Sequence, residues 1–187
     1  MTERFKDARY VFLDRDGVIN RKVPEGKYVA HWSDAAILPG VEDAIAVLNR
    51  SGRRVIVVSN QRGVALGYYT PADVEKLQEQ LQEHLAAHGA RIDRFYYCPH
   101  DKDECDCRKP RTGMFEQAFL DFPGASPANS VVIGDSISDI EAAQAMGTPS
   151  IFIAGDPATQ KEGADRAAVL ADARAESLID AVQKHLS

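Results

Sequence analysis

Two pairs of aspartates follow predicted strands, and their spacing suits chemistry that involves a cation. Asp14 and Asp16 lie in "DRDGVIN", and Asp135 and Asp139 lie in "GDSISD". Carboxylates that converge from two strand ends repel one another unless a cation lies among them. A small number of hard oxygen ligands suits Mg²⁺, which keeps open positions for water or phosphate oxygens. Each pair alone also has an ordinary structural explanation, an Asx-rich turn for the first pair and a helix cap for Asp139.

Two other segments supply groups that can bind an anion. Ser59 and Asn60, in "VVSNQRG", offer hydroxyl, amide and backbone N–H donors at the end of a second predicted strand. Lys109, in "RKP", adds a positive charge, and Pro110 restricts the backbone beside it. Together these groups can cradle a dianion. A solvated lysine is the ordinary alternative for Lys109 taken alone.

The three cysteines of the chain lie within ten residues of one another, beside a histidine. Cys98, His100, Cys105 and Cys107 make a complete Cys₃His set, with the polar turn "DKDE" between the two pairs. Closed tetrahedral sites of this composition bind structural zinc. A redox role is a weaker interpretation, because the spacing is not the C-x-x-C of thioredoxin-like motifs. We therefore predict structural Zn²⁺ in a loop at 98–107.

Short β-branched runs alternate with amphipathic stretches, which is typical of an α/β fold with a mostly parallel sheet. Strands are predicted at 10–14, 54–60, 94–98, 130–136 and 149–155, and helices at 39–52, 70–89, 113–122, 138–147 and 177–186. Ligands of such folds bind beyond the carboxyl ends of the strands, which is where the groups described above are expected. With 187 residues and no repeat or linker, the chain is predicted to form one domain.

The composition limits the partners that the chain is expected to bind. The net charge of -6 and the pI near 5.4 argue against binding to nucleic acid or to an anionic membrane surface. The N-terminal stretch "MTERFKDARY" lacks the apolar core of a signal peptide, so a cytoplasmic protein with reduced thiols is expected. No heptad pattern or apolar stripe indicates a partner chain, so a monomer is expected.

The segments "DRDGVIN", "SNQRG", "RKP" and "GDSISD", in this order, resemble the haloacid dehalogenase superfamily of phosphatases. The resemblance implies a Rossmann-like three-layer sandwich without a large cap domain, and Mg²⁺-dependent phosphoryl transfer. It implies that Asp14 is the nucleophile that forms an aspartyl-phosphate, and that Asp16 protonates the leaving alkoxide and then activates water. It also implies that Asp14, the backbone carbonyl of Asp16 and Asp135 hold Mg²⁺. The residues implied in phosphate and substrate binding are Ser59, Asn60, Arg108 and Lys109.

The zinc loop that runs into "CRKP" narrows the resemblance to two groups of phosphatases, those of D-glycero-D-manno-heptose 1,7-bisphosphate and those of histidinol phosphate. "DRDGVINRKVPEGKYV" and "SNQRGVALGYYT" are closer to the heptose group, which implies a small sugar phosphate substrate and hydrolysis of its 7-phosphate. Ser136 stands where the heptose group has a lysine. Arg108 and the polar segment 20–28 are expected to grip the substrate. Histidinol-phosphate hydrolysis and a non-catalytic, zinc-stabilised binding module are the alternatives.

Overall fold

The computed structural model describes residues 2–24, 26–160 and 162–187, and within them one parallel sheet of six strands forms the centre of the fold. The strands are β1 (Tyr10–Leu13), β2 (Arg54–Asn60), β3 (Arg94–Cys98), β4 (Ser130–Gly134), β5 (Ser150–Ile153) and β6 (Ala173–Ala175). Their order across the sheet is β3-β2-β1-β4-β5-β6.

Helices connect the strands and cover the sheet. They are α1 (Val41–Arg50), α2 (Pro71–Ala87), α3 (Gly113–Asp121), α4 (Ile137–Met146), α5 (Ala164–Leu170) and α6 (Leu178–Ala181), and α6 continues as a π-helical turn (Val182–Leu186). Short 3₁₀ turns lie at Thr2–Phe5, Trp32–Asp34, Pro127–Asn129 and Pro157–Thr159. The start of α2 shows why the sequence folds this way. Thr70 Oγ1 accepts a hydrogen bond from the backbone N–H of Asp73, and Pro71 occupies the first helical position.

Alternate residues of each strand pack on opposite faces of the sheet, as the pleat requires. On β1, Val11 and Leu13 join the core under α1 and α6, whereas Phe12 joins the core under α3 and α4. Phe12 meets Phe115 of α3 edge to face, with the ring centroids 5.3 Å apart. Both faces of the sheet are therefore covered by helices, which makes the fold a three-layer α/β sandwich.

The predicted fold class and the strands and helices named from the sequence are confirmed, with ends that differ by a few residues. Two elements were not predicted, α5 and β6. The strand β6 is only "ARA", without a β-branched or aromatic residue, and α5 has only seven residues, so neither carries a strong pattern. Among the described residues, no helix is both long enough and apolar enough to span a bilayer.

The topology brings distant segments together at one edge of the sheet. β1 pairs with β2 on one side and with β4 on the other, so the chain leaves β1 and β4 in opposite directions across the sheet. A crevice forms at such a reversal of strand order, beyond the carboxyl ends of the strands. Asp14 follows β1 and Asp135 follows β4, and these two residues therefore face the same crevice.

Candidate active site

Three carboxylates meet at the carboxyl ends of β1 and β4. One oxygen each of Asp14, Asp135 and Asp139 lies within 4.8 Å of the others, and we call this group the carboxylate cluster. Asp139 is 1% exposed and Asp135 is 7% exposed, so the cluster is largely withdrawn from water. Buried charges of one sign in such proximity require compensation by cations.

Two glycines permit the close approach of these carboxylates. Gly17 has φ +96°, and a Cβ atom there would lie 2.1 Å from Asp135 Oδ2. Its N–H donates to the carbonyl of Asn20 at 2.8 Å, which closes the turn after β1. A Cβ atom at Gly134 would lie 2.3 Å from the Cβ of Asp139. Any larger residue at either position would displace the cluster.

Lys109 is the main counter-charge of the carboxylate cluster. Its Nζ lies 3.0 Å from Asp14 Oδ1 and 2.6 Å from Asp139 Oδ1, and it donates to the carbonyl of Val58 at 2.6 Å. The residue is only 3% exposed. Burial alone would lower the pKa of Lys109, but the adjacent carboxylates of Asp139 and Asp14 raise it above its ordinary value. The lysine is therefore a fixed positive charge beside the predicted nucleophile.

Lys22 is a second buried counter-charge. The sequence predicted a substrate contact for the segment 20–28 that includes it, and not the contact with Asp135. Its Nζ donates to Asp135 Oδ2, and both side chains are buried. Burial raises the pKa of Asp135 to about 7, Lys22 acts against this rise, and Asp14 and Asp139 add to it. No sequence motif predicts the contact of Lys22 with Asp135. The contact depends on the path of the loop after β1, which brings Lys22 to the end of β4.

The donor set of the carboxylate cluster fits Mg²⁺. Asp135 Oδ1 is buried and has no hydrogen-bond partner among the described residues, so one oxygen is left for a cation. The available ligand atoms are carboxylate oxygens, the hard donors that Mg²⁺ prefers. Asp14 and Asp135 were both predicted as Mg²⁺ ligands, and the structure brings them together. The third predicted ligand, the backbone carbonyl of Asp16, stays a prediction.

Asp139 has two contacts that explain its place in the cluster. Its Oδ2 accepts hydrogen bonds from the N–H of Ser136 at 3.1 Å and from its hydroxyl at 2.6 Å, which caps the start of α4. Its Oδ1 faces Lys109. Asp139 therefore caps α4 with one carboxylate oxygen and contacts Lys109 with the other. Ser136 contributes to the helix cap.

The Asp16 carboxylate lies apart from the cluster and has its own set of donors. Arg15 Nη2 lies 2.9 Å from Oδ2, and Asn20 Nδ2 donates to Oδ1 at 2.9 Å. Gln61 Nε2 lies 3.4 Å from Oδ2. Asp16 remains partly exposed, with 28% of its side-chain surface open to solvent. Three donors therefore orient Asp16 outside the carboxylate cluster, while part of its surface stays open to solvent.

Ser59 and Gln61 form a buried polar pair at the end of β2. Gln61 Nε2 donates to Ser59 Oγ at 2.6 Å, and Tyr69 donates its hydroxyl hydrogen to Gln61 Oε1 at 2.7 Å. Burial raises the pKa of Tyr69 to about 12, so the hydroxyl keeps its proton. Gln61 was not among the predicted site residues. Its place directly after Ser59 and Asn60 in "SNQRG" is the signal that would have found it.

The side chain of Asn60 holds the backbone of Lys109. Asn60 Oδ1 accepts from the N–H of Lys109 at 3.0 Å, and Asn60 Nδ2 donates to the carbonyl of Lys109 at 3.1 Å. Both ends of the amide are therefore used in fixing the lysine. Arg108 is half-buried, and its Nη1 is buried with no hydrogen-bond partner among the described residues. Of the predicted substrate segment 20–28, Glu25 lies outside the described residues.

The predicted zinc ligands form a second group, the cysteine cluster, directly before Lys109. Its members are Cys98, His100, Cys105 and Cys107, whose donor atoms all lie within 4.8 Å of one another. The distances are 3.4 Å from Cys98 Sγ to Cys105 Sγ, and 3.3 Å from His100 Nδ1 to Cys107 Sγ. Tetrahedral zinc with bonds of about 2.0–2.3 Å places its ligand atoms roughly 3.3–3.8 Å apart, so the cluster fits this ion.

Polar contacts attach the cysteine loop to the rest of the site. Arg62 forms an ion pair with Asp101, and the side-chain hydrogen bond from Arg62 lowers the pKa of that carboxyl. The N–H of Gly113 donates to the carbonyl of Asp106 at 3.0 Å, and a Cβ atom at Gly113 would lie 2.7 Å from that oxygen. The loop is thus anchored on both sides, with Lys109 at its exit.

Comparison with known proteins gives relatives over nearly the whole chain. A family model described as HAD-hydrolase-like matches residues 106–181. The chain is 40% identical, over 95% of its length and 92% of the relative, to D-glycero-alpha-D-manno-heptose-1,7-bisphosphate 7-phosphatase of Mycobacterium bovis. It is 41% identical, over 81% of its length and 84% of the relative, to D-glycero-beta-D-manno-heptose-1,7-bisphosphate 7-phosphatase of Vibrio cholerae.

A solved structure shows the same architecture. The D,D-heptose 1,7-bisphosphate phosphatase of B. bronchiseptica, complexed with magnesium and phosphate, matches with a TM-score of 0.83 and 26% sequence identity. The match covers 94% of this chain and 97% of that chain. The similarity therefore extends over the sheet, both helical layers and the loops around the crevice.

Proposed function

Because the chain belongs to the family of the D-glycero-D-manno-heptose-1,7-bisphosphate 7-phosphatases, which are haloacid dehalogenase-like hydrolases, we propose that it hydrolyses the 7-phosphate of such a heptose bisphosphate. The observation that carries this proposal is the placement of Lys109 between Asp14 and Asp139. A nucleophilic carboxylate needs a fixed positive charge beside it to accept a phosphate dianion.

In the first half of the reaction, a carboxylate oxygen of Asp14 attacks the phosphorus of the substrate. The bond between phosphorus and the C7 oxygen breaks, and Asp16 gives its proton to the leaving alkoxide. The product of this half is an aspartyl-phosphate on Asp14 and a free heptose 1-phosphate. The ammonium of Lys109 and the hydroxyl of Ser59 neutralise and orient the phosphoryl oxygens during the transfer.

In the second half, water attacks the phosphorus of the aspartyl-phosphate. Asp16, now a carboxylate, accepts a proton from that water, and the P–O bond to Asp14 breaks. Inorganic phosphate leaves, and both carboxyl groups return to their starting states. The hydrogen bonds from Asn20 and Gln61 keep Asp16 in one orientation for both proton transfers.

Two metal ions belong to this proposal. Asp14, Asp135 and the backbone carbonyl of Asp16 would hold Mg²⁺, and the bound ion would supply charge neutralisation for the transferring phosphoryl group. The cysteine cluster would hold Zn²⁺ as a closed structural site. Its four ligands lie in a loop that is rich in charged residues, so a bound ion would order that loop and fix Arg108 and Lys109 at its exit.

Arg108, which follows the cysteine loop, is the residue that we expect to contact the rest of the substrate. Arg108 offers a buried guanidinium nitrogen without a described partner, and Asn20 and Gln61 are bound to Asp16 itself. We assign to Arg108 a contact with the sugar or its second phosphate. We further propose that the protein works in the cytoplasm, as a monomer, without nucleic-acid or membrane partners. The net charge of -6 supports the absence of nucleic-acid binding.

The test is a phosphatase assay in Mg²⁺ with both anomers of heptose 1,7-bisphosphate, histidinol phosphate and common sugar phosphates. Both anomers belong in the panel, because the relatives act on different ones by name. We expect the highest kcat/KM for one heptose bisphosphate, with heptose 1-phosphate as the product seen by ³¹P NMR. A preference for histidinol phosphate, or the absence of turnover for every substrate, would contradict the proposal.

A further inference from the structure

A third group of metal-type donors lies away from the active site, where α1 meets the end of α2. One carboxylate oxygen of Glu42 and one ring nitrogen each of His84 and His88 lie within 4.8 Å of one another. We propose that these three side chains, the imidazole site, bind a divalent transition-metal ion such as Zn²⁺. This site is independent of the phosphatase reaction, and neither of the two clusters described above contributes a ligand to it.

The donors come from the start of α1 and from the C-terminal end of α2. His84 and His88 are four residues apart at the C-terminal end of α2, so their side chains lie on the same face, one turn apart. Their ring centroids are 4.8 Å apart. Glu42, in the first turn of α1, reaches across and places Oε1 2.8 Å from His84 Nε2. The ligands therefore come from two elements that the core holds in fixed positions.

Both imidazole rings are oriented by further contacts. His88 Nδ1 lies 2.8 Å from the carbonyl oxygen of His84, so this nitrogen carries the hydrogen and the other ring nitrogen keeps its lone pair. A bond of this kind to a backbone carbonyl is the usual second contact of a metal-ligating histidine. The Trp32 ring packs on His84 with 5.4 Å between the centroids.

Two imidazoles and one carboxylate, with room for water in a fourth position, are a common zinc donor set. Imidazole nitrogen favours zinc, copper or nickel over Mg²⁺ and Ca²⁺, which prefer oxygen ligands only. Zinc bonds of about 2.0–2.2 Å place the donor atoms roughly 3.3 Å apart, so the widest pair has to close by at most about 1.5 Å. The side chains of His84 and Glu42 are 29% and 22% exposed, and rotations at this surface can provide that movement.

A bound ion would join three parts of the fold. It would link α1 to α2, and through Trp32 it would restrain the connection between β1 and α1, which also carries Lys22. Without an ion, the same contacts amount to one hydrogen bond between helices and one histidine at a helix C-terminus. A metal site and a set of ordinary helix contacts can be distinguished by experiment, because only a metal site takes up zinc and is stabilised by it.

The experiment uses the full-length protein, with the cysteine cluster loaded with Zn²⁺ and with millimolar Mg²⁺ present to occupy the carboxylate cluster. Isothermal titration with ZnCl₂ should show one further equivalent of bound zinc. His84→Ala and His88→Ala should each weaken this binding by about tenfold or more, since loss of a second-shell partner alone typically costs about 10- to 100-fold in affinity. Glu42→Gln should weaken it as well.

The matched controls are His31→Ala and Glu83→Gln, which remove a histidine and a carboxylate outside the imidazole site, and both should bind zinc as the wild type does. A second readout keeps the result independent of folding. Added zinc should raise the Tm of the wild type and of both controls, but not that of His88→Ala, whose exposed side chain can be replaced without disturbing the core. Absence of a further zinc equivalent, or uptake that persists unchanged in both histidine variants, would overturn the proposal.

Discussion

The carboxylate cluster and the cysteine cluster are two groups of metal-type ligands that meet at Lys109, and they are built in opposite ways. The carboxylate cluster joins residues from the ends of β1 and β4, over one hundred positions apart in the chain, and exists only when the sheet has formed. The cysteine cluster takes its ligands from a single loop, 98–107. One group therefore depends on the whole fold, whereas the other organises its own segment.

The two clusters also differ in the type of ligand atom that they offer to a metal ion. Hard carboxylate oxygens suit Mg²⁺ and leave positions for substrate oxygens, whereas three thiols and an imidazole fill a tetrahedral zinc site. We therefore propose a part in the reaction for the carboxylate cluster and a purely structural role for the cysteine cluster. Lys109 connects the two clusters, because it follows the cysteine loop in sequence and contacts Asp14 and Asp139 in space. Variants that affect one cluster without the other test this division.

Asp14→Asn should have the largest effect on activity. The amide cannot act as the nucleophile, so kcat should fall by about 10⁴-fold or more, while zinc content and the free energy of unfolding stay near wild type. Steady-state kinetics, metal analysis and urea denaturation check the three quantities. Asp43→Asn, on the exposed side of α1, is the matched control and should keep full activity. Loss of zinc together with activity in Asp14→Asn would mean that the two clusters are not separable.

Cys107→Ser should give the converse result. Removal of a zinc ligand should lower the free energy of unfolding by about 4 kcal/mol, since loss of a structural metal is among the most costly changes a protein can suffer. Zinc content should fall, and activity should decline less than in Asp14→Asn, through disorder at Lys109. Asp106→Asn, an exposed change in the same loop, serves as the control. Normal stability in a zinc-free Cys107→Ser protein would contradict a structural role for zinc.

Lys22→Met tests whether Lys22 compensates the buried charge of Asp135 in the carboxylate cluster. It leaves the buried carboxylate of Asp135 without its described hydrogen-bond donor, and removal of one partner of a buried ion pair costs about 3 kcal/mol or more. Chemical denaturation without added metal measures this loss. Lys27→Met, an exposed change in the same connection, should leave stability within experimental error of wild type. Equal stability of the two variants would show that Lys22 does not compensate the charge of Asp135.

Asn60→Ala tests the link between the clusters and should have the smallest effect. Two hydrogen bonds to the backbone of Lys109 are lost, which should cost about 1–2 kcal/mol of stability. Zinc content should not change, because Asn60 touches no zinc ligand through its side chain. A moderate fall in kcat, within about tenfold, is expected from a looser Lys109. Unchanged kcat would show that the lysine is held well enough by its other contacts.

The two clusters also differ in how far the sequence could predict them. The cysteine cluster was recognisable because its four donors follow one another at a spacing that zinc requires. The proximity of Asp14 and Asp135 could be predicted from the rule that parallel strands end at one edge, whereas the roles proposed for them come from the resemblance to the family. The contact between Lys22 and Asp135 could not be predicted from the sequence. It depends on the turn at Gly17 and on the path of the following loop, for which the sequence has no characteristic pattern.

The hydrogen-bond partners of Asn60 could not be predicted from the sequence either. The sequence indicated a polar donor beside the phosphate, but the structure shows that both ends of its amide bind the backbone of Lys109. The residue type predicts hydrogen bonding, and only the packed loop decides the partner. The strand β6 was missed for a related reason, because "ARA" gains its strand form from pairing with β5 and not from its own preference.

The most direct test of the proposed reaction is peptide mapping of the acid-quenched enzyme during a single turnover with heptose 1,7-bisphosphate and Mg²⁺. We expect one transient phosphopeptide, with the phosphoryl group on Asp14, that forms as heptose 1-phosphate appears and decays as inorganic phosphate appears. A phosphoryl group on any other residue, or release of phosphate at the full rate without a phosphopeptide, would contradict it.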